Sequence, residues 1–213
     1  MFKQNKWKLV VSSLAILLPI LAGVCFWNKL PDQVPMHWNA QGEVDGYGSR
    51  AMLVFGMPAV MLAVHWVAVF ITALDPKNRD QSQKVMGLTL WIVPIVSLFL
   101  SAIMYPMAMG HALPITKLTM SWIGLLFVVL GNYMPKCKQN STIGIRVPWT
   151  LDNEENWNAT HRFAGRMWVG GGLLILACML LPSSVFMGAV IALSLVLTVS
   201  TIVYSYVYYC RHK

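Results

Sequence analysis

Long apolar stretches alternate with short polar ones along this chain, and the alternation predicts a membrane protein. Six stretches are long enough to cross about 30 Å of hydrocarbon as helices. They cover residues 8–28, 51–74, 85–109, 115–134, 164–182 and 184–209. The segments between them are too short to hold a separate soluble domain. We therefore predict an all-α integral membrane protein with six transmembrane helices, forming a single membrane domain over residues 1–213.

The composition agrees with this class of protein. Hydrophobic residues make up 57% of the chain, charged residues only 11%, and the mean hydropathy is +0.59, which is typical of membrane proteins. The first stretch follows three lysines and so begins like a secretory signal. Its apolar core is about 20 residues long, however, which exceeds a signal core, and no A-x-A cleavage site follows it. We predict that it is retained as a helix.

The net charge of +8 would suit a nucleic-acid partner, but its distribution favours membrane orientation instead. With a cytoplasmic N-terminus, 13 of the 16 basic residues fall inside and three outside. The inside residues are Lys3, Lys6, Lys8, Lys77, Arg79, Lys84, Lys136, Lys138, Arg146, Arg162, Arg166, Arg211 and Lys213, and the outside residues are Lys29, Arg50 and Lys117. Such a bias predicts an N-in/C-in topology, with anionic membrane lipids rather than nucleic acid as the partner of these charges.

The loop at residues 30–50, predicted to be extracytoplasmic, carries one group of candidate site residues. His37 stands close to Glu43 and Asp45, so the loop could bind a metal or handle a proton, and Trp38 could stack on a ligand. The spacing matches no known metal motif, and we predict no metal. A ligand or partner surface and a packed loop cap both stay open. Prolines and glycines in the loop predict turns.

The loop at residues 135–163, predicted to be cytoplasmic, is divided into two parts. Residues 141–150 predict an extended segment, because they combine β-branched residues with a proline. Asp152 and Glu155 have the spacing of a capping box at a helix start. After them, one helical face carries Trp157, Thr160, His161, Ala164 and Trp168. This pattern predicts a short interfacial helix that continues into the fifth span, either directly or through a bend near Gly165.

Basic and aromatic residues are concentrated in this second loop. They are Lys136, Arg146, His161, Arg162 and Arg166, with Trp149 and Trp157. Such a set either anchors an interfacial helix to anionic lipid or forms a docking face for an acidic or amphipathic cytoplasmic partner. It contains no nucleophile–base spacing, and we predict no catalytic residue and no cofactor.

Two polar features lie within the apolar spans. His65 is an ionisable residue at membrane depth, which indicates either a functional site or a neutral histidine bonded to a neighbouring helix. In the sixth span a polar stripe steps by three and four residues: Ser194, Thr198, Thr201, Ser205 and Tyr208. We interpret the stripe as hydrogen bonding between helices in preference to a conduit.

Two segments in this order resemble the signatures of a bacterial group, the SdpI-like family of Sdp toxin immunity proteins and their relatives. LPDQVPMHWNAQGEVDGYGSR resembles its Pro-x-His-Trp-Asn membrane domain, and GNYMPKCKQNSTIGIRVPWTLDNEENWNATHRFAGR resembles its second signature. The first motif is matched at Pro35, His37, Trp38, Asn39, Gly42 and Asp45. The second is matched at Asn132, Pro135, Lys136, Asn140, Gly144, Arg146, Pro148, Trp149, Thr150, Trp157, Thr160, His161, Arg162 and Gly165.

The resemblance implies a multi-pass protein of the bacterial plasma membrane that gives immunity to a secreted antimicrobial peptide. It further implies a receptor that, with toxin bound, holds a cytoplasmic autorepressor at the membrane. The first motif would then bind the ligand outside and the second the partner inside. Two alternatives remain. One is a membrane-embedded enzyme acting on lipid or peptide through His37, Asp45 or His161, and the other is a small transporter using His65 and the polar stripe.

Overall fold

The computed structural model describes residues 2–39 and 41–212, apart from the side chains at positions 2–4 and 184. Its helices are α1 (Phe2–Cys25), α2 (Met57–Leu74), α3 (Gln83–Ala108), α4 (Ile115–Tyr133), α5 (Pro148–Asp152), α6 (Glu154–Ala177) and α7 (Ser183–Arg211). A π-helical turn, Met52–Gly56, leads into α2, and short 3-10 turns lie at Trp27–Lys29, Pro76–Asp80, Met134–Lys136 and Cys178–Leu180.

Six of the described helical segments are long and apolar enough to cross a membrane. They correspond to the six predicted spans, which confirms the prediction of an all-α membrane protein with multiple passes. Contacts within the chain divide it into two compact units. One comprises Met1–Leu74 with Met86–Ile115, and the other comprises Asp75–Val85 with Thr116–Lys213. The single membrane domain over residues 1–213 stays a prediction.

Between α1 and α2 the chain forms a β-hairpin that the sequence did not predict. Strand β1 (Gln33–Trp38) pairs antiparallel with β2 (Val44–Ser49). Proline and glycine are depleted in strands, so Pro35, Gly46 and Gly48 argued for turns. Here the glycines make room for side chains from β1. A Cβ on Gly46 would lie 2.9 Å from the Cβ of His37, and one on Gly48 would overlap the sulfur of Met36.

The hairpin is held by a hydrophobic cluster in its own unit. Val34 of β1 is fully buried and packs with Leu30, with Leu53 and Val54 of the π-helical turn, and with residues of α3. Arg50 secures its base, since its guanidinium forms an ion pair with Asp32 at 3.0 Å and lies 4.8 Å from the ring of Trp27. The hairpin is therefore a packed part of the first unit rather than an open loop.

In the second unit α4 and α6 approach closely through glycines seven residues apart on each helix. A Cβ on Gly131 would lie 3.0 Å from the carbonyl oxygen of Gly165, and one on Gly172 would lie 2.6 Å from that of Gly124. Small residues allow this approach between membrane helices, where packing and hydrogen bonds replace the hydrophobic effect as the driving force. The contact holds the second half of α6 against the second half of α4.

Two details of the second loop differ from the sequence analysis, and a third decides between two alternatives that it left open. The predicted extended segment ends earlier, because Pro148 begins the short helix α5, where proline suits the first helical position. The N-cap of α6 is Asn153, whose side chain accepts a hydrogen bond from the amide of Asn156, so the predicted cap at Asp152 is wrong. The interfacial helix and the fifth span form one continuous helix through Gly165.

The polar residues within the spans have partners of their own. His65 is fully buried, and its Nε2 lies 3.1 Å from the hydroxyl of Ser12 on α1, the bonded arrangement that one interpretation of His65 expected. On α7, Thr201 and Ser205 are buried while Thr198 is exposed. The polar stripe is therefore split between the protein interior and the lipid-facing surface, which suits helix contacts better than a conduit.

The N-in/C-in orientation stays a prediction with a direct test. Ser49 and Ser141 are both exposed, so a cysteine at either position should react with a maleimide. In intact cells whose protein lacks its accessible native cysteines, we expect an impermeant maleimide to label Ser49→Cys and to spare Ser141→Cys until the membrane is opened. Labelling of position 141 in intact cells would overturn the orientation.

Candidate functional site

The tip of the hairpin is closed by Asn39. Its Oδ1 accepts hydrogen bonds from the amides of Gln41 at 3.0 Å and Glu43 at 2.9 Å, and its Nδ2 donates to the Glu43 carboxylate at 3.1 Å. Asparagine is common in such turns because its short side chain bonds to the backbone nearby. Gly42 has a φ of 82°, in the left-handed region that favours glycine. Both motif residues therefore shape the turn.

Next to this turn, His37 and Asp45 form a pair across the strands. The Nδ1 of His37 lies 2.6 Å from Oδ1 of Asp45, and the two side chains are 74% and 43% exposed. An exposed pair contributes little to stability. It does present an imidazole and a carboxylate together to a ligand, and this makes it the candidate binding element of the hairpin.

The other matched residues of the hairpin are less available to a ligand. Trp38 is half-buried and packs against the hydrophobic cluster beneath the strands. Its indole nitrogen is buried, with no hydrogen-bond partner among the described residues. Pro35 is half-buried opposite Tyr47, a residue that is itself 65% exposed. Of the predicted outer site, His37 and Asp45 are the polar residues left facing solvent.

Residues 136–153 of the second matched segment, together with the turn at residues 75–82, form what we call the cap. Asn140 is fully buried at its centre. Its Oδ1 accepts from the amides of Thr142 at 2.8 Å and Ile143 at 2.6 Å, and its Nδ2 donates to the carbonyls of Lys138 and Ile143. One side chain thus holds the turn at residues 138–143, which indicates a structural role for Asn140.

The two parts of the cap are joined by contacts between the turn at residues 75–82 and residues 136–153, which the sequence analysis missed. Asp75 accepts from the amide of Ser141 at 2.6 Å, and Asn78 donates to the hydroxyl of Thr142 at 2.6 Å. Gln81 exchanges two hydrogen bonds with the backbone of Lys138. The local sequence indicated only that Asp75-Pro76 ends a helix. The partners lie about sixty residues further along, where no local pattern points to them.

Trp157 and His161 join the cap to α6. The indole of Trp157 is fully buried, donates to the carbonyl of Cys137 at 2.8 Å, and stacks on His161 at 4.0 Å between ring centroids. The Nδ1 of His161 lies 2.8 Å from the carbonyl oxygen of Trp157. Its Nε2 accepts a hydrogen bond from the amide of Ile145 at 3.0 Å. A nitrogen that accepts a hydrogen bond carries no proton, so His161 is neutral here.

A third set of contacts joins the cap to α7. The indole of Trp149 donates to the hydroxyl of Ser205 at 2.9 Å, and Asn156 donates to the carbonyl of the same residue at 3.1 Å. Thr160 donates to the side chain of Asn156. Thr150 is fully buried and bonds to the carbonyls of Ile145 and Val147. These matched residues therefore hold the cap, α6 and α7 together.

Cys137 lies inside the cap and is not available for chemistry. Burial raises the pKa of its thiol to about 11, against the opposing effect of a hydrogen bond from Asn140. The reactive form of cysteine is the thiolate, which is scarce at neutral pH for such a group. The thiol of Cys137 is therefore buried and protonated.

The exposed face of the cap is basic. Its cations, together with those on the neighbouring ends of α3 and α6, are Lys77, Arg79, Lys84, Lys136, Lys138, Arg146, Arg162 and Arg166. No ion pair joins any of them to a carboxylate within the part of the chain that the structure describes. Arg146 donates to the carbonyl of Ser141 at 2.6 Å, and Lys136 lies 4.8 Å from the ring of Tyr133. Arg162 is free to contact a partner or a headgroup.

The structure thus separates the site residues predicted in the second motif into two groups. Asn140, Trp157, Thr160 and His161 are buried, and half-buried Trp149 is bonded to α7. Asn132, Lys136, Arg146, Pro148 and Arg162 are exposed.

In the enzyme alternative, His37 and Asp45 are brought together, whereas His161 uses both ring nitrogens within the cap. No cluster of three metal-binding side chains occurs in the residues described.

Each of the two units contains a match to a known protein family or domain. Residues 136–208 match the SdpI/YfhL protein family, and residues 14–62 match the domain of unknown function DUF1648. The immunity protein SdpI of Bacillus subtilis (strain 168) is 24% identical over 202 residues, covering 95% of this chain and 96% of that protein. This chain is SdpI-like. No solved structure matches it.

The two family matches fall on different units of this SdpI-like chain. The DUF1648 match covers the second half of α1, the hairpin and the start of α2. The SdpI/YfhL match covers most of the cap, α6 and most of α7. The similarity and the six helices together make the chain a multi-pass protein of the bacterial membrane.

Proposed function

We propose that this chain is an immunity protein that protects its cell from a secreted antimicrobial peptide. One observation carries the proposal: its similarity to the immunity protein SdpI runs over nearly the full length of both chains. A shared fragment would suggest only a shared fold, but a match of this extent includes both the hairpin and the cap. In this proposal the hairpin binds the peptide and the cap signals to the cytoplasm.

The hairpin supplies the peptide-binding element in this proposal. His37 and Asp45 form an exposed pair on a short sheet whose other face is packed on the first unit. Side chains on a rigid scaffold bind with a smaller loss of conformational entropy than side chains on a mobile loop. The pair can donate to and accept from the backbone or a charged group of a peptide at the membrane surface.

Survival of toxin-treated cells tests this proposal. In Bacillus subtilis lacking its own SdpI and exposed to the Sdp killing factor, we expect this chain to restore growth. His37→Ala should reduce the protective effect about tenfold, because a hydrogen bond involving a charged group contributes about 1.5–3 kcal/mol. Gln33→Ala is the matched control, since Gln33 is exposed on the same strand.

Membrane abundance of each variant must be measured alongside growth. No protection by the parent chain at normal abundance would contradict immunity against this peptide. Equal protection by His37→Ala and Gln33→Ala would leave immunity intact but remove the His37–Asp45 pair from the binding site.

We further propose that exposed arginines of the basic face formed by the cap and α6, Arg146 and Arg162 among them, bind an acidic cytoplasmic regulator when peptide is bound. The cap suits this role for two reasons. Hydrogen bonds tie residues 136–153 to the turn between α2 and α3, to α6 and to α7. The cations of the basic face have no carboxylate partner among the described residues. Guanidinium groups pair with carboxylates through two parallel hydrogen bonds. Peptide binding would control docking only if the peptide favours one state of the protein over another.

Arg162→Lys separates regulator docking from lipid anchoring. Lysine keeps the charge but cannot form the planar paired contact, so we expect toxin-dependent recruitment of the fluorescently tagged Sdp autorepressor to the membrane to fall about tenfold. Arg211→Lys, at the exposed end of α7 and outside this basic face, should have little effect. Arg162 has no ion pair within the described residues, so an internal bond to Asp152 or Glu155 does not confuse the result.

Unchanged recruitment by Arg162→Lys at normal abundance would contradict specific docking. The basic face would then serve as an anchor to anionic headgroups, which needs positive charge alone.

A further inference from the structure

A shallow groove runs along the first unit, separate from the hairpin pair and from the cap. It has a volume of about 280 Å³ and lies between one face of α1 and one face of α3. Its lining includes Pro19 and Ala22 of α1, Phe26 just beyond it, and Ser101, Ala102 and Tyr105 of α3. Two of these residues, Ala22 and Ala102, have small side chains, and the groove is open rather than enclosed.

The polar atoms in this lining are already bonded. The hydroxyl of Ser101 donates to the carbonyl of Ser97 at 2.8 Å, and that of Tyr105 donates to the carbonyl of Pro19 at 2.8 Å. The groove therefore presents hydrocarbon to whatever fills it. Its volume lies near the lower limit of about 300 Å³ for pockets that enclose a small molecule, so it suits part of a flexible chain rather than a whole polar ligand.

One end of the groove carries a positive charge. Phe26 lines the groove at the end of α1, and the ammonium of Lys29 lies 5.7 Å from the centre of its ring. Lys29 is exposed and has no ion pair within the residues that the structure describes. The adjacent Asp32 is paired with Arg50 at 3.0 Å. Lys29 is therefore a cation without a counter-charge where the helix leaves the apolar layer.

We propose that the groove is a binding site for an anionic phospholipid. Part of one acyl chain lies in the groove against Ala22 and Ala102, and the phosphate-bearing headgroup lies at Lys29. The membrane supplies this ligand at high concentration, and it has the two features that the site requires. These are an apolar chain for the bonded, hydrocarbon lining and a negative charge for the unpaired lysine. The inference is independent of the proposed immunity function.

Photo-crosslinking in vesicles tests this site. The purified full-length protein is placed in phosphatidylcholine vesicles containing a trace of phosphatidylglycerol that carries a diazirine in one acyl chain. Phosphatidylcholine with the same labelled chain is used in a parallel sample. We expect the anionic probe to label peptides from residues 18–26 and 98–109 about fivefold more than the zwitterionic probe, the factor that one lysine–headgroup attraction corresponds to.

Two variants remove the two features separately. Ala102→Phe fills the groove and should lower labelling of these peptides by both probes to the level of ordinary exposed apolar surface, since Leu21 and Val24 stay exposed outside the groove. Lys29→Gln should leave the groove open but make the two probes label equally. The matched controls are Ala63→Phe on the exposed surface of α2 and Lys117→Gln, which should both behave as the parent protein. Labelling of α2 peptides in each sample shows whether the variant is folded and inserted.

Equal labelling by the two probes in the parent protein would overturn the proposal, because the groove would then be in ordinary contact with bulk lipid. Labelling unaffected by Ala102→Phe would also overturn it, by showing that the chain lies elsewhere.

Discussion

Trp157→Ala should remove much of the stability of the cap and, with it, protection of the cell. The indole is fully buried, stacks on His161 and donates to the carbonyl of Cys137. Truncating a buried tryptophan costs about 3–5 kcal/mol, and the carbonyl of Cys137 would be left without its donor. We expect a lower unfolding temperature in detergent and less folded protein in the membrane.

Glu154→Ala is the control for this change. Glu154 is exposed in the first turn of the same helix, so its loss should alter the unfolding free energy by no more than about 0.5 kcal/mol. Equal unfolding temperatures for the two variants would contradict the packing of α6 on the cap through Trp157.

Gly144→Ala should destabilise the protein to a comparable extent, because Gly144 lies against the rings of Trp157 and His161. Gly144 has a φ of 113°, which a residue with a Cβ adopts only with strain. An added Cβ would overlap Nε2 of His161 and lie 3.1 Å from the indole of Trp157. The bond from the Ile145 amide to His161 would be displaced. Strain and overpacking together predict a loss of about 2–5 kcal/mol, measured as thermal unfolding in detergent.

Gly170→Ala provides a glycine control within the same unit. Gly170 is in the interior of α6, and a Cβ there would meet nothing within 4 Å. Alanine favours a helix over glycine by about 1 kcal/mol, so this variant should be as stable as the parent or slightly more so. If both glycine variants unfold like the parent, the close approach of residue 144 to His161 is wrong.

The six spans could be predicted because the pattern that defines them is local. A run of about twenty apolar residues has few stable alternatives to a membrane helix, and the structure places α1 to α4, α6 and α7 over the predicted stretches. The face of α6 that carries Trp157, Thr160, His161 and Ala164 was also predictable from helical spacing, and these residues are buried.

The hairpin could not be predicted because its residues contradict ordinary strand preferences. Pro35, Gly46 and Gly48 suggest turns when each is considered alone. Paired in register, the glycines provide the space that His37 and Met36 occupy. The strands form because they pack on Val54 and α3, contacts that join distant parts of the chain.

The sequence by itself determined the number of apolar spans, the charge bias and the two motifs, because each of these is a pattern of residues close together along the chain. Only the tertiary structure decided which motif residues are structural. Asn140 and His161 are buried in hydrogen bonds, whereas His37, Asp45 and Arg162 remain exposed. The contacts of Asp75 with Ser141 and of Trp149 with Ser205 join segments more than fifty residues apart. A buried polar group needs a hydrogen-bond partner, and the packing of the helices determines which distant segment provides it.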